Sequence, residues 1–204
     1  MSKYQQKDSD IYYDDTDVPK NKLDLTSSEE IHEIEGELLN QAYELFISEL
    51  NADTIFDENY FIDLHKRTFE SLYDWAGIYR TEDMFKGGST FCVGRAVASE
   101  SSKLFERFKE ENYFKEYDLV PQDEFASKLA ELKSDLIMLH PFYELNGRIT
   151  RLFFDLIVIY NGYQPINYAN YTPEDYINAS IDCVQYADES FMKKIMSDGL
   201  VKGK

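Results

Sequence analysis

The sequence predicts an all-α domain with one β-hairpin inserted into it. Three observations lead there. Apolar residues recur at helical spacing through most of the chain, helix-start signals stand ahead of several of those stretches, and a glycine-containing stretch near residues 76–92 breaks the helical period.

Ser27-Ser28-Glu29-Glu30 has the form of a capping box, with Ser27 and Glu30 three apart. Ile31, Ile34, Leu38, Leu39, Ala42, Leu45 and Phe46 follow on one helical face. Asp57 can cap a second helix carrying Phe61, Leu64, Thr68, Phe69 and Leu72. Gly77, Gly87 and Gly88 then surround short β-prone pieces, as a loop or hairpin requires. Residues 96–111 can form a third helix. Pro121 and Asp123 open a strong fourth one, in which Phe125, Leu129, Leu132, Leu136 and Leu139 make a stripe that runs directly into His140. Ile149, Leu152, Phe153, Leu156, Ile157 and Tyr160 mark the next helix, which Asn161-Gly162 can end. Thr172-Pro173-Glu174-Asp175 starts another, with Thr172 as cap and Pro173 at the first helical position. A last helix spans about residues 188–196.

The length, 204 residues, suits one sizeable domain, and a 43% hydrophobic fraction rich in Tyr (16) and Phe (14) supplies its core. Residues 1–25 are polar, rich in Asp and Lys, and without period. They are expected to form a flexible segment ahead of a single domain over 26–204. The formal charge of -18 argues against nucleic acid and against an anionic membrane as partners. Any polyphosphate site must therefore bring its own local positive charge. Cys92 and Cys183 fit neither a zinc pattern nor a disulfide framework. The N-terminus carries no apolar signal region, and the longest apolar stretch, around Leu152–Tyr160, is broken by Asp155 and too short to span a bilayer. A cytoplasmic location is the expectation.

Chemistry concentrates in His140-Pro-Phe-Tyr-Glu-Leu-Asn-Gly-Arg148, a polar loop between two apolar helices. The loop runs into a helix start, where unsatisfied N–H groups and the helix dipole favour a bound phosphate. Arg148 and Arg151 lie in the first turn or so of that helix, where cations oppose the dipole and an anion would relieve the conflict. Two guanidiniums three residues apart suit the phosphates of a nucleotide. Glu144 adds a carboxylate, which with phosphate oxygens is the usual way to hold Mg²⁺. His140 can serve as general base for a hydroxyl. Asn146 can bond a phosphate or orient the loop, and Gly147 allows close backbone approach. Each residue alone has a bland reading: helix end, surface charge or core. Their combination within twelve residues points to nucleotide chemistry.

The segment resembles the signature of the Fic family, HPF-x-(D/E)-G-N-(G/K)-R with a second Arg three residues later. Leu64-His65-Lys66 and Leu72-Tyr73-Asp74-Trp75-Ala76-Gly77-Ile78-Tyr79-Arg80-Thr81 resemble the family's stretch before its flap. Lys86, Gly87, Gly88, Ser89, Thr90 and Phe91 resemble the flap itself, and the whole likeness covers about residues 25–200. It implies a Fic-type helical bundle and a protein adenylyltransferase. In that reading His140 deprotonates a Tyr, Thr or Ser hydroxyl of a target protein, and the oxygen attacks the α-phosphate of ATP. Glu144 would hold Mg²⁺. Leu145, Asn146 and Gly147 would form the anion-binding loop, Arg148 and Arg151 would take charge on the leaving diphosphate, and residues 86–91 would align the target by strand-type bonds.

One position departs from the pattern: Leu145 stands where the family usually has Gly, which strains the backbone if that position needs positive φ. The family also often carries an inhibitory helix, (S/T)-x-x-x-E-(G/N), whose Glu pairs with the second signature arginine. Glu35-Gly36 is a partial match, with Ile31 at the Ser/Thr position. His32 and His65 are expected to be structural or surface residues. Two other functions stay open: a Doc-like kinase that transfers the γ-phosphate, and a catalytically weak nucleotide-binding interaction module. Self-modification is compatible with the first reading, and oligomeric state is not readable.

Overall fold

In the computed structural model, the described residues are 5–6 and 11–203. They form seven α-helices and one small antiparallel sheet. The helices are α1 (Ser28–Glu49), α2 (Glu58–Phe69), α3 (Val97–Glu110), α4 (Gln122–Leu139), α5 (Asn146–Tyr160), α6 (Pro173–Tyr186) and α7 (Ser190–Gly199). The sheet has strands β1 (Gln5–Gln6), β2 (Met84–Lys86) and β3 (Ser89–Thr90), in the order β1-β2-β3. All the helices expected from periodicity are present, and the hairpin lies between α2 and α3.

The helix starts follow from local chemistry. Ser27 accepts the Glu30 N–H, and Asp57 accepts the Tyr60 N–H at 2.8 Å. At α6 a full capping box forms, with Thr172 and Asp175 bonding each other's backbone N–H. α5 is the central helix. Its Ile149, Leu152, Phe153, Phe154, Leu156, Ile157 and Val158 are all fully buried. Phe153 meets Phe56, Phe61 and Phe105 edge-on, with centroids 5.2–6.1 Å apart. Phe61 also stacks on Phe142, which ties this aromatic core to the loop after α4.

The hairpin turns on Gly87 and Gly88, both at positive φ, as a two-residue turn between antiparallel strands requires. Its neck is closed by a backbone approach that only glycine permits: a Cβ at Gly94 would sit 2.0 Å from the Thr81 carbonyl oxygen. Both ends of the hairpin are fastened to the α4–α5 region. Arg80 N–H donates to Pro141 O at 2.9 Å, and Cys92 N–H donates to Met138 O at 3.0 Å.

Of the segment 1–25, read from the sequence as flexible, residues 1–4 and 7–10 lie outside the described residues. From Ile11 onward it packs on the helices. Val18 is 1% exposed, Asn21 is buried and bonds the Pro19 and Leu25 carbonyls, and Lys22 N–H donates to Leu72 O. A few well-placed anchors replace the missing apolar period. At its far end, Gln5 and Gln6 pair with Phe85 and Met84, so the outer edge of β2 is taken by the chain's own N-terminus. Among the described residues, no helix is long and apolar enough to cross a membrane.

Candidate functional site

α4 delivers His140 and α5 receives the chain again at Asn146, so residues 140–145 form a short loop on the central helix pair. Both of its ends are left-handed. His140 has φ +46 and caps α4, and Leu145 has φ +67 at the N-cap of α5. For a non-glycine residue that conformation costs on the order of 1 kcal/mol. Leu145 offsets the cost by burial, being 8% exposed. The strain expected at this position is therefore present and absorbed by packing.

The loop is held by backbone-directed bonds. Asn146 accepts the Phe142 N–H at 2.8 Å and donates to the Phe142 carbonyl at 2.7 Å. Its side chain is spent on loop shape, one of the two roles open to it. His65, from α2, accepts the Gly77 N–H at Nδ1, so the proton is on Nε2, which donates to the Glu144 carbonyl at 3.2 Å. Burial pushes its pKa down to about 3, and its ring stacks on Phe142 at 3.9 Å. His65 is thus structural, as expected, but its place is directly beneath the loop.

Arg80 completes this floor. It is 1% exposed and donates to four backbone carbonyls: His140 and Leu139 at the end of α4, and Glu82 and Cys92 at the hairpin neck. A guanidinium at a helix C-terminus also complements the dipole. The pattern around Arg80 was visible in the sequence, but its role was not, because its partners are carbonyls that leave no mark in residue identities.

His140 is buried, and its ring stacks on Phe91 of the hairpin at 3.9 Å. Nδ1 lies 3.4 Å from the Ile137 carbonyl, which can only accept, so Nε2 is the basic nitrogen. Burial first, and then the Arg80 charge, push its pKa down to about 3. The imidazole is neutral. Beside it opens a cleft of about 370 Å³ lined by Lys86, Gly87, Ser89, Phe91, His140, Asn146, Gly147 and Thr150, with Tyr176, Ile177, Ile181 and Val184 of α6 on the far side. Of the hairpin residues singled out from the sequence, Lys86, Gly87, Ser89 and Phe91 line the cleft. Ser89 is fixed to α6 by Gln185 at 3.0 Å, whereas Thr90 is exposed. A Cβ at Gly147 would meet nothing within 4 Å. The fold does not need glycine there, but a ligand approaching the start of α5 would.

Two side chains from outside the loop sit on its charged groups. Glu35 of α1, itself 3% exposed, accepts Arg148 at 2.9 Å and the Tyr73 hydroxyl at 2.6 Å. The family pattern implied a pairing with the second arginine, Arg151. The structure pairs Glu35 with the first one, because Arg151 is engaged elsewhere. Its guanidinium lies 5.2 and 5.0 Å from the rings of Tyr168 and Tyr176. Those rings also face Lys133, which is fully buried and donates to the Tyr168 hydroxyl at 2.9 Å. Burial pushes Lys133 down to about 7. Tyr43 and the Ile166 N–H bond Asp155 in the same cluster. Nothing in the sequence marked Lys133, since a lysine within an apolar helix reads as a surface residue.

The second covering contact is on Glu144. Tyr12 donates its hydroxyl to Glu144 Oε1. Burial raises the Glu144 carboxyl to about 7, against the lowering effects of Tyr12 and Lys86. Among the described residues, no cluster of three or more His, Cys, Asp or Glu could hold a metal by itself. A cation here would need oxygens from a ligand beside Glu144.

Comparison with known proteins agrees with this geometry. The Fic/DOC family model matches residues 55–158. "Probable protein adenylyltransferase y4lH" of Sinorhizobium fredii is 24% identical over 89% of this chain and 91% of its own length. "Probable protein adenylyltransferase Fic" of Escherichia coli is 30% identical over 50% of this chain. The match spans about half the length of that relative, 49%. Among solved structures, the N-terminal Fic domain of a VirB-translocated Bep effector protein from Bartonella quintana, with bound ADP, superposes with a TM-score of 0.80. It is 25% identical and covers 95% of each chain. A VirB-translocated Bartonella effector protein from Bartonella tribocorum, with bound AMPPNP, superposes with a TM-score of 0.81 at 22% identity, covering 95% and 97%. With its signature loop, hairpin and helical frame in place, the chain belongs to the Fic/DOC family.

Proposed function

We propose that the protein transfers AMP from ATP to a hydroxyl side chain of a target protein, and in the absence of a target to itself. The observation that carries this reading is the neutral His140 imidazole at the edge of a cleft whose floor is the N-terminus of α5. The apolar side of the cleft, Tyr176, Ile177, Ile181 and Val184, suits a flat base. The phosphates then lie over Gly147 and the first turn of α5, within reach of Arg148, with Arg151 three residues further on.

In this arrangement the target hydroxyl approaches between His140 and the hairpin. His140 Nε2 takes its proton as the oxygen bonds to the α-phosphorus, the bond to the bridging oxygen breaks, and pyrophosphate leaves. An imidazole with a depressed pKa is a weak base, but a bound triphosphate adds negative charge beside it and raises that value. Glu144 would hold Mg²⁺, which supplies charge neutralisation on the phosphates when bound. The hairpin from Lys86 to Phe91 aligns the target backbone. The names of the relatives, and the nucleotides bound in two of the solved structures, support the same reading.

Glu35 acts as a brake by occupying Arg148. The test is intact mass after incubation with ATP and Mg²⁺, for the wild type, Glu35→Gly and Glu35→Gly/His140→Ala. A gain of one AMP is expected in Glu35→Gly, less in the wild type, and none in the double variant. Transfer of label from the γ-position instead of the α-position would replace this function by a kinase. Tight nucleotide binding without transfer, indifferent to His140→Ala, would leave a binding module. Equal gain in wild type and Glu35→Gly would discard the brake.

A further inference from the structure

The hairpin and the signature loop are both already engaged by one continuous piece of this chain. Gln5 and Gln6 pair with Phe85 and Met84 on the outer edge of β2, and Tyr12 places its hydroxyl on Glu144. One contact is backbone to backbone on the hairpin, and the other is side chain to side chain on the signature loop. The neighbouring tyrosine does neither: Tyr13 turns its hydroxyl towards Asn21 and Asp24 of its own segment. Past Tyr12 the segment is fastened by a Tyr12–Pro19 bridge, by buried Val18, and by Lys22 bonds to Leu72 and Glu70. From Tyr12 onward its placement is therefore built in.

We infer that the N-terminal segment competes for the site in cis, its strand taking the edge of β2 that a target segment would take and Tyr12 taking the carboxylate that a divalent cation would take. This rests on the reading that the outer edge of β2 aligns the target and that Glu144 holds the divalent cation. A strand added to a sheet edge is recognised through main-chain bonds that any sequence supplies, so the edge itself is tolerant. While the phenol donates to Glu144, that carboxylate oxygen is not available to a cation.

The segment and the Glu35 brake act on different groups. Glu35 blocks the arginine that would meet the phosphates, and Tyr12 blocks the carboxylate that would meet the cation. Their effects are separable by experiment.

The test uses the full chain and Mn²⁺ as the probe, with binding read by electron paramagnetic resonance without nucleotide and again with ADP. Tyr12→Phe keeps the ring and removes the donor. It should tighten Mn²⁺ binding on the order of tenfold, the effect of one hydrogen bond to a charged group. Tyr13→Phe should leave the affinity unchanged. Proline at both Gln5 and Gln6 removes the strand's N–H donors and should raise the affinity for a tyrosine-bearing extended peptide several-fold. Equal Mn²⁺ affinity in wild type and Tyr12→Phe, or no gain in peptide affinity with the two prolines, overturns the inference while the proposed function stands. If Glu144→Gln leaves Mn²⁺ binding as it was, the cation reading fails, and the inference fails with it.

Discussion

The floor of the cleft and its cover are held by different kinds of bond. The floor is made of neutral or fully enclosed groups that bond to backbone: Asn146 to Phe142, His65 to Gly77 and Glu144, Arg80 to four carbonyls. The cover is made of side-chain contacts on ligand-type groups, Glu35 on Arg148 and Tyr12 on Glu144. A backbone bond in the floor has no competitor, because no ligand offers a better partner to a buried carbonyl. A carboxylate on a half-exposed arginine has one, since a phosphate offers the same charge and geometry. The difference teaches that the floor sets the shape of the site, whereas the cover sits on groups for which a ligand would compete.

The largest way to break this comparison is Arg80→Ala. It leaves four carbonyls without their donor. At about 1–3 kcal/mol for each buried unsatisfied group, the loss reaches several kcal/mol and a large share of the folding free energy. Urea unfolding should show it, and Arg80→Lys should rescue only part, since one ammonium cannot reach all four. A loss under about 1 kcal/mol would remove Arg80 from the floor.

His140→Ala tests the floor's chemistry instead of its shape. Transfer should fall by roughly 10² to 10⁴ while the unfolding midpoint moves little by comparison. Parallel losses of both would assign His140 to packing alone.

The pH dependence of stability sharpens the same contrast. His65 and His140 both have folded pKa values near 3, below the ordinary 6.5. Below about pH 6.5 the unfolded chain binds protons that the folded chain does not, so stability falls as pH drops from about 6.5 towards 3. Glu144, raised to about 7, acts in the opposite sense between its ordinary value and 7. Among these three groups of the site, the two imidazoles outweigh the one carboxyl, and their joint effect is a loss on acidification. His65→Gln should flatten the thermal midpoint between pH 6.5 and 5, and an unchanged slope would show that His65 is not held neutral.

The smallest effect is at Leu145. Glycine there relieves the left-handed strain, about 1 kcal/mol, but gives up a buried leucine worth about 2 kcal/mol or more. Burial wins, and Leu145→Gly should destabilise by roughly 1–2 kcal/mol in denaturant titration. A stabilising outcome would mean that strain dominates.

Much of the frame was legible in residue order. Helical period, the caps at Ser27, Asp57 and Thr172, and the paired glycines of the hairpin are local features, and local chemistry decided them. The signature loop was legible because its residue types are themselves the chemistry. The N-terminal segment was not, since three or four anchors do not make a period. The pairing of Glu35 was legible as a carboxylate near the site, but its partner, Arg148 and not Arg151, depended on how Tyr168 and Tyr176 hold Arg151.

By itself, then, the order of residues determined the helices, the hairpin and the make-up of the signature loop, because period, caps and side-chain types act over a few positions. Only the tertiary structure decided that Arg80 and His65 support the loop, that Lys133 is buried against two tyrosines, and that Glu35 and Tyr12 cover the charged groups. Those contacts join residues far apart in the chain, and their partners are set by packing and by competition among acceptors, which no short stretch of sequence contains.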